Sequence, residues 1–149
     1  MKIKILESVY IPKYATVGSA AIDLRACSIE NNEQVVVLDP HHQITFGTGI
    51  ALDLESELGP FRVAGLILPR SGLGTRGIIL GNSVGLIDSD YRGEIKVCLW
   101  NRSFEEVVIR KYDRIAQLIF IPYFKPELEV VSEFEETERG ESGFGSTGR

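Results

Sequence analysis

Three features of this sequence predict an all-β fold. Val and Ile occur in short runs, and β-branched side chains pack well on pleated sheets. Gly, Pro, Asn or Asp interrupts each run within a few residues, which is typical of turns. No long segment repeats apolar residues at helical spacing. Many short strands in one domain predict a distorted antiparallel β-barrel of the jelly-roll type.

Five strands are predicted in the first half of the chain, each an apolar or alternating run that ends at a turn residue. They are Lys2–Leu6, Gln34–Leu38, His42–Phe46, Gly49–Leu54 and Phe61–Leu68. Pro69 then breaks the pattern, and at most one short helical turn is expected from Ser71 to Arg76.

Five further strands are predicted in the second half by the same pattern: Ile78–Leu80, Glu94–Asn101, Val107–Arg110, Ile115–Pro122 and Leu128–Ser132. The composition becomes acidic and then Gly-rich near Glu133. We therefore expect a β-domain over residues 1–132 and a flexible C-terminal lid over residues 133–149 that is not an independent domain. A frayed terminus is the alternative, although Arg139 and Phe144 are unusual in a passive linker.

Composition excludes several classes of function. The 149 residues, 44% hydrophobic and 25% charged, suit one soluble globular domain. A net charge of −5 argues against broad nucleic-acid or membrane surfaces, although a small anion needs only a local cluster of positive charge. The chain has no long apolar run, and Cys27 and Cys98 are expected to be reduced core thiols, which suits the cytoplasm.

Two segments in the middle of the chain combine residues that bind ligands. In Pro69–Gly74, Gly permits close approach of the backbone and Arg70 offers a guanidinium to an anion. In Gly81–Glu94, apolar residues flank a polar turn, which predicts a β-hairpin whose backbone pairs with a planar base. Asp88 is expected in a partly desolvated place, where a carboxylate deprotonates water. A plain surface turn remains open for each segment.

Two later segments also contain polar residues in unusual places. Arg114 and Gln117 interrupt an apolar strand, so each needs a partner, either a ligand or another subunit. The Gly-rich tail after Arg139 offers amides and hydroxyls to phosphates but lacks the Lys of a Walker A loop. Spacings for zinc ligands, a zinc-dependent deaminase or a serine hydrolase elbow are absent from the sequence.

Together and in this order, the segments resemble the five motifs of the homotrimeric deoxyuridine triphosphatases of bacterial type. The matching stretches are Ser19–Leu24, Pro69–Leu73, Gly85–Gly93, Asp113–Leu118 and Arg139–Gly148. The family has Gly where this chain has Ala21, which would strain the backbone only if that position required positive φ.

The resemblance implies a jelly-roll subunit, a homotrimer with sites between subunits, and hydrolysis of dUTP to dUMP and diphosphate. That reaction keeps uracil out of DNA and supplies dUMP for thymidylate synthesis. By the same resemblance, Asp88 activates water and contacts the 3′-hydroxyl, and Tyr91 packs under the sugar and excludes a 2′-hydroxyl. The uracil edge is read by Asn82, Leu86, Ile87 and Lys96.

The remaining implied contacts involve the phosphates and the metal. Mg²⁺ is held mainly by the triphosphate and water, with Asp23 acting through water and no direct protein ligand. Phe144 stacks on uracil as the tail closes. The phosphates meet Arg70, Ser71, Gly72, Gln117, Arg139, Ser146 and Thr147.

Two rival functions differ in chemistry. A dCTP deaminase or bifunctional relative on the same fold would need a glutamate at the base site and lacks this form of the fifth motif. A nucleotide-binding regulatory protein without turnover would need neither Asp88 nor the tail.

Overall fold

The chain folds into two four-stranded antiparallel sheets and a two-stranded ribbon. The computed structural model describes residues 1–7, 10–28, 33–55 and 61–141. The elements within these ranges are β1 (Lys2–Ile5), β2 (Ile22–Arg25), β3 (Val35–Leu38), β4 (Gln43–Asp53), β5 (Arg62–Pro69), α1 (Ser71–Gly74), β6 (Ile78–Leu80), β7 (Gly85–Ile87), β8 (Glu94–Asn101), β9 (Val107–Arg110) and β10 (Arg114–Tyr123). The all-β prediction is confirmed.

The order of the strands places the sequence motifs on one sheet. The first sheet has the order β1-β4-β8-β6, the second has the order β2-β10-β5-β7, and β3 pairs with β9. In the second sheet, β5 lies between β10 and β7, with Leu68 opposite Gln117 and Leu66 opposite Leu86. Residues from four motifs therefore lie along or beside this sheet.

A shared apolar core holds the two sheets together. β8 shows the period of two that a half-buried strand requires, with Ile95, Val97 and Leu99 buried and Lys96 exposed. Phe46 of the first sheet and Leu118 of the second are both fully buried in one cluster. This alternation turns Lys96 outward, toward the pocket described below.

The strands of the first half differ from the prediction in two ways, each with an identifiable reason. β4 is continuous where His42–Phe46 and Gly49–Leu54 were expected, because the strand passes Gly47 and Gly49 as a bulge rather than a turn. Gly49 has a φ of +69°, which favours glycine. β2 was not predicted, since its two buried residues, Ile22 and Leu24, make too short an alternation to recognise.

Two predictions in the second half need correction. Residues 81–94 do not form a hairpin, because β7 pairs with β5 in one sheet while β8 pairs with β4 and β6 in the other. Leu128–Ser132 is not a strand, because no described strand pairs with it and Leu128 and Val130 lie exposed. The short helix after Pro69 is confirmed as α1.

Three sequence expectations concern single positions or segments. Cys27 and Cys98 are free, and burial, aided by Glu7, raises the pKa of the Cys27 thiol. Among the described residues other than Gly, positive φ occurs at His41, Ser83 and Tyr112. Ala21 therefore carries no such strain. No helix in the described part of the chain is long and apolar enough to cross a membrane.

Candidate active site

A pocket beside the edge of the second sheet collects most of the residues expected to bind the nucleoside. Its volume is about 220 Å³. The expected Asp88 and Tyr91 both line it, together with Glu94, the first residue of β8. The full lining is Leu86, Ile87, Asp88, Tyr91, Glu94 and Lys96. The pocket is therefore formed by β7 of the second sheet, β8 of the first sheet and the turn that joins these two strands.

The turn over residues 88–93 is held by its own contacts. The backbone N–H of Tyr91 donates to Asp88 O at 3.2 Å, and the Tyr91 hydroxyl donates to Glu94 O at 3.0 Å. A Cβ added at Gly93 would lie 2.6 Å from Cζ of Tyr91. Because no real side chain tolerates that distance, Gly93 is required for Tyr91 to fold back over the turn.

Asp88 differs from expectation in its exposure. Its side chain lies on the surface of the isolated chain rather than in a desolvated place. The reason is the sheet change at this turn, which leaves Asp88 outside the core although its neighbour Ser89 is buried. Any desolvation of Asp88 must come from what covers the pocket.

Asn82 lies near this pocket but does not line it. It belongs to the turn between β6 and β7, where Ser83 N donates to Leu80 O at 3.1 Å and Val84 N to Asn82 O at 2.7 Å. Ser83 has a φ of +65°. The turn therefore presents Asn82 to solvent beside the start of β7.

A second cluster forms around Asp23 on β2. Arg70 Nε lies 2.9 Å from Asp23 Oδ1, and Arg114 Nη1 lies 3.4 Å from Asp23 Oδ2. Two guanidiniums thus meet one carboxylate, which leaves a local excess of positive charge in an acidic protein. Such a place suits an anion.

The polar residues of β10 find their partners within the chain. Gln117 Nε2 donates to Pro69 O at 2.9 Å, and Arg114 pairs with Asp23. The sequence analysis expected either a ligand or another subunit as the partner of Arg114 and Gln117. Both side chains already have a polar partner within the chain. Ser71 and Gly72 open α1 and are exposed, with amides at the start of a helix where intrahelical acceptors are lacking.

The two clusters occupy different places on one chain. Gly65 pairs with Ile87 beside the pocket, and Arg70 lies five residues further along the same strand direction. At about 3.3 Å per residue, that separation is about 17 Å. The turn with Asp88 extends in the opposite direction from Arg70.

The structure describes only part of the predicted tail and metal site. Arg139 is exposed in a turn over residues 138–141, whereas Phe144, Ser146 and Thr147 lie outside the described residues. Within the described ranges, no group of three or more His, Cys, Asp or Glu residues is arranged to hold a metal ion. Asp23 offers a single carboxylate, and both of its oxygens face arginines.

Comparison with known proteins identifies the family. The sequence profile of the dUTPase family matches residues 7–148. The chain belongs to the dUTPase family. The deoxyuridine 5′-triphosphate nucleotidohydrolase of Legionella pneumophila strain Paris is 50% identical, with the match covering 100% of this chain and 97% of that protein.

Solved dUTPase structures share this fold. A mutant of the Staphylococcus bacteriophage 80alpha dUTPase, solved with dUpNHpp, superposes with a TM-score of 0.80 at 26% identity over 99% of this chain and 98% of that one. A mutant dUTPase from phage phi11 of S. aureus gives 0.74 at 21% identity over 91% and 98%. That phi11 structure describes coordination of a structural Mg(II) ion.

Sequence reasoning missed several residues that shape this dUTPase-family pocket. Glu94 lines it, and its Oε1 accepts from Gly49 N at 2.9 Å, which ties β8 to the β4 bulge. Ser89 is buried, with its hydroxyl 3.1 Å from the Tyr123 hydroxyl. Arg92 was part of the third motif but had no assigned role. The only available signal was its place in that motif, since its ion-pair partners, Asp53 and Glu55, are distant in sequence.

Proposed function

We propose that this chain hydrolyses dUTP to dUMP and diphosphate. The observation that carries the proposal is the pocket in which Leu86, Ile87, Asp88, Tyr91 and Lys96 meet. Each was expected to contact the nucleoside, and the fold brings them to one place from two sheets. Membership of the dUTPase family supports the same reaction.

Asp88 acts as the general base. Its exposed carboxylate accepts a proton from a water molecule, whose oxygen forms a bond to the α-phosphorus. The bond from the α-phosphorus to the bridging oxygen breaks, and diphosphate leaves with that oxygen. The same carboxylate contacts the 3′-hydroxyl of the sugar.

Uracil is read by an open strand edge. Among the described residues, β7 is the last strand of its sheet and pairs with β5 on one side only, so its other edge presents backbone donors and acceptors that no described strand uses. Leu86 and Ile87 supply that edge, Lys96 lines the same pocket, and Asn82 contributes from the turn that precedes β7. Cytosine has a different donor and acceptor pattern and leaves polar groups unpaired, which produces strong discrimination.

Tyr91 selects the deoxyribose. Its hydroxyl bond to Glu94 O and the missing side chain at Gly93 fix the ring against the turn. A ring held in this way packs under the sugar and leaves no room for a 2′-hydroxyl. UTP is therefore a poor substrate.

The phosphates are held by the second cluster of a neighbouring subunit. Arg70, Ser71, Gly72 and Gln117 lie near one another, and Arg70 contributes to the excess positive charge around Asp23. All four are remote from Asp88 on the same chain. A homotrimer with sites between subunits joins the two halves. The exposed apolar side chains of the segment after β10 support assembly: Phe124 is 78% exposed, Leu128 91% and Val130 98%.

Mg²⁺ assists the reaction. Asp23, whose two carboxylate oxygens already face Arg70 and Arg114, would contact a bound Mg²⁺ only through water, and the triphosphate and water would supply the direct ligands. When bound, it neutralises charge on the phosphate oxygens. Asp23 orients this assembly while Arg70 and Arg114 balance its charge.

Residues 133–149 act as a lid over the pocket. Its described part is exposed and contains no strand or helix, which suits a segment that orders on ligand binding. Phe144 stacks on uracil, and Arg139, Ser146 and Thr147 meet the phosphates. Two free thiols suit a reducing compartment, and we place the activity in the cytoplasm.

The deciding experiment compares diphosphate release from dUTP, dCTP, dTTP and UTP by purified protein with Mg²⁺. We expect turnover of dUTP at least about a hundredfold above the others, since unpaired polar groups in a fitted site are strongly disfavoured. Ammonia release from dCTP would favour the deaminase. Tight dUTP binding without diphosphate release would favour the regulatory protein.

A further inference from the structure

We propose that Arg92 is a positioning residue that holds the 88–93 turn, and with it Asp88, against the end of β4. The proposal rests on the proposed dUTP hydrolysis, in which Asp88 is the base. It adds a role for a residue that lies outside the pocket lining.

The Arg92 guanidinium bridges the turn and the first sheet. Its Nη1 donates to Ser89 O at 2.7 Å, on the residue directly after Asp88. Its Nη2 lies 2.9 Å from Asp53 Oδ1 and 2.9 Å from Glu55 Oε2. Asp53 is the last residue of β4, so the contact links the turn to a strand that pairs along much of its length.

Asp88 needs such support because sheet pairing ends just before it. β7 pairs with β5 as far as Ile87, and β8 joins the other sheet at Glu94. Between them, the turn is attached on one side by the hydroxyl pair of Ser89 and Tyr123 and on the other by Arg92. Losing one attachment lets the turn rotate about the other.

The rest of the pocket is anchored independently of Arg92. Leu86 and Ile87 are fixed by pairing with β5, and the ring end of Tyr91, although its backbone belongs to the turn, is held on β8 by the hydroxyl bond to Glu94 O. Loss of Arg92 therefore displaces the base more than the groups that bind the nucleoside. We therefore expect loss of Arg92 to lower kcat more than it changes KM.

Arginine is required because two nitrogens of one planar guanidinium must donate at the same time, one to Ser89 O and the other to Asp53. Lysine has one nitrogen and cannot reach both Ser89 O and Asp53 in the same way. The Arg92 side chain is 45% exposed, so its ion pairs contribute little to stability. A small effect on Tm and a large effect on kcat distinguish positioning from a structural role.

The test compares Arg92→Ala, Arg92→Lys and Asp53→Asn with wild type, using Arg102→Ala as the control at an exposed arginine outside the site. Steady-state kinetics with dUTP give kcat and KM, and binding of non-hydrolysable dUpNHpp gives Kd. Thermal melting reports the fold. Hydrogen exchange of the amides of residues 88–93 reports the turn directly and needs no activity.

We expect Arg92→Ala to lower kcat about tenfold or more, the scale of a small misplacement of a reacting group. KM and Kd should change less than about threefold, and exchange in the turn should accelerate. Arg92→Lys should recover part of kcat. The double variant Arg92→Ala with Asp53→Asn should have the same kcat as Arg92→Ala alone, because both substitutions remove the same ion pair.

Three results would overturn the proposal: unchanged kcat in Arg92→Ala, unchanged exchange in the turn, or a kcat loss that follows Tm and Kd in proportion. If Arg92→Ala does not fold, Arg92→Lys and Asp53→Asn carry the same comparison. Absence of dUTP turnover in wild type would refute the proposed function, and the exchange measurement would still decide the role of Arg92.

Discussion

Asp88 and Asp90 lie two residues apart in the same exposed turn, but only Asp88 lines the pocket beside β7. Both suit a turn by composition, and nothing in their spacing separates them. The difference arises because Asp88 directly follows the strand that forms the pocket wall. Its role is therefore a consequence of position rather than of an unusual local sequence.

Asp88→Asn keeps the shape of the side chain and removes its basicity. We expect kcat for dUTP to fall by about 10²- to 10⁴-fold, the usual contribution of a general base. Binding of dUpNHpp, measured by calorimetry, should stay within about threefold, since a similar hydrogen-bonding group remains.

Asp90→Asn is the matched control and should leave kcat near wild type. Equal loss in both variants, or unchanged turnover in Asp88→Asn, would remove Asp88 from its role.

At the scale of elements, the site depends on where β7 ends. β7 has three residues and lies at a sheet edge, which leaves its outer backbone groups for a ligand. The β5 strand beside it continues to the Asp23 cluster through Pro69. A single strand thus connects the pocket lined by Asp88 with the cluster that we propose to hold phosphate.

The C-terminal segment is the second element with a testable role. Deleting residues 139–149 should leave Tm unchanged, because residues 133–141 are exposed and pair with no described strand. Turnover of dUTP should fall about a hundredfold as the contacts that orient the phosphates are lost. Phe144→Ala is the narrower variant and should weaken dUpNHpp binding through lost stacking. Full activity of the truncated protein would show that the tail is only a frayed end.

For the whole molecule, the separation of the two clusters makes assembly part of the proposed mechanism. A trimer of the 16.5 kDa chain should be seen by light scattering at three times that mass. Arg70→Ala and Asp88→Asn should each lower activity strongly when present alone. If the site lies between subunits, randomly mixed trimers regain activity in about a quarter of their sites.

No recovery after subunit exchange, with exchange verified by mass spectrometry of tagged chains, would place both residues in one chain's site. Mixing Asp88→Asn with Asp88→Ala is the control and should restore nothing. An active monomer in solution would also contradict the shared site.

Sequence alone determined the fold class and the set of candidate residues. Short β-branched runs between turn residues are local signals, so strands such as β8 and β10 were predicted nearly at their observed bounds. Arg70, Asp88 and Gln117 were candidates because each lies in a segment whose chemistry a core does not need, whereas Asp23 was implied by the family resemblance. These inferences require only neighbours along the chain.

Tertiary structure decided which sheet each strand joins and which residues meet. The segment after Gly81 was expected to form a hairpin, but the chain crosses there from one sheet to the other. The reason is that β7 pairs with β5 and β8 pairs with β4, and the turn sequence does not determine these pairings. The contact of Arg92 with Asp53 and that of Arg114 with Asp23 join residues far apart in sequence. Such contacts follow from packing around a common core, and a local pattern does not contain them.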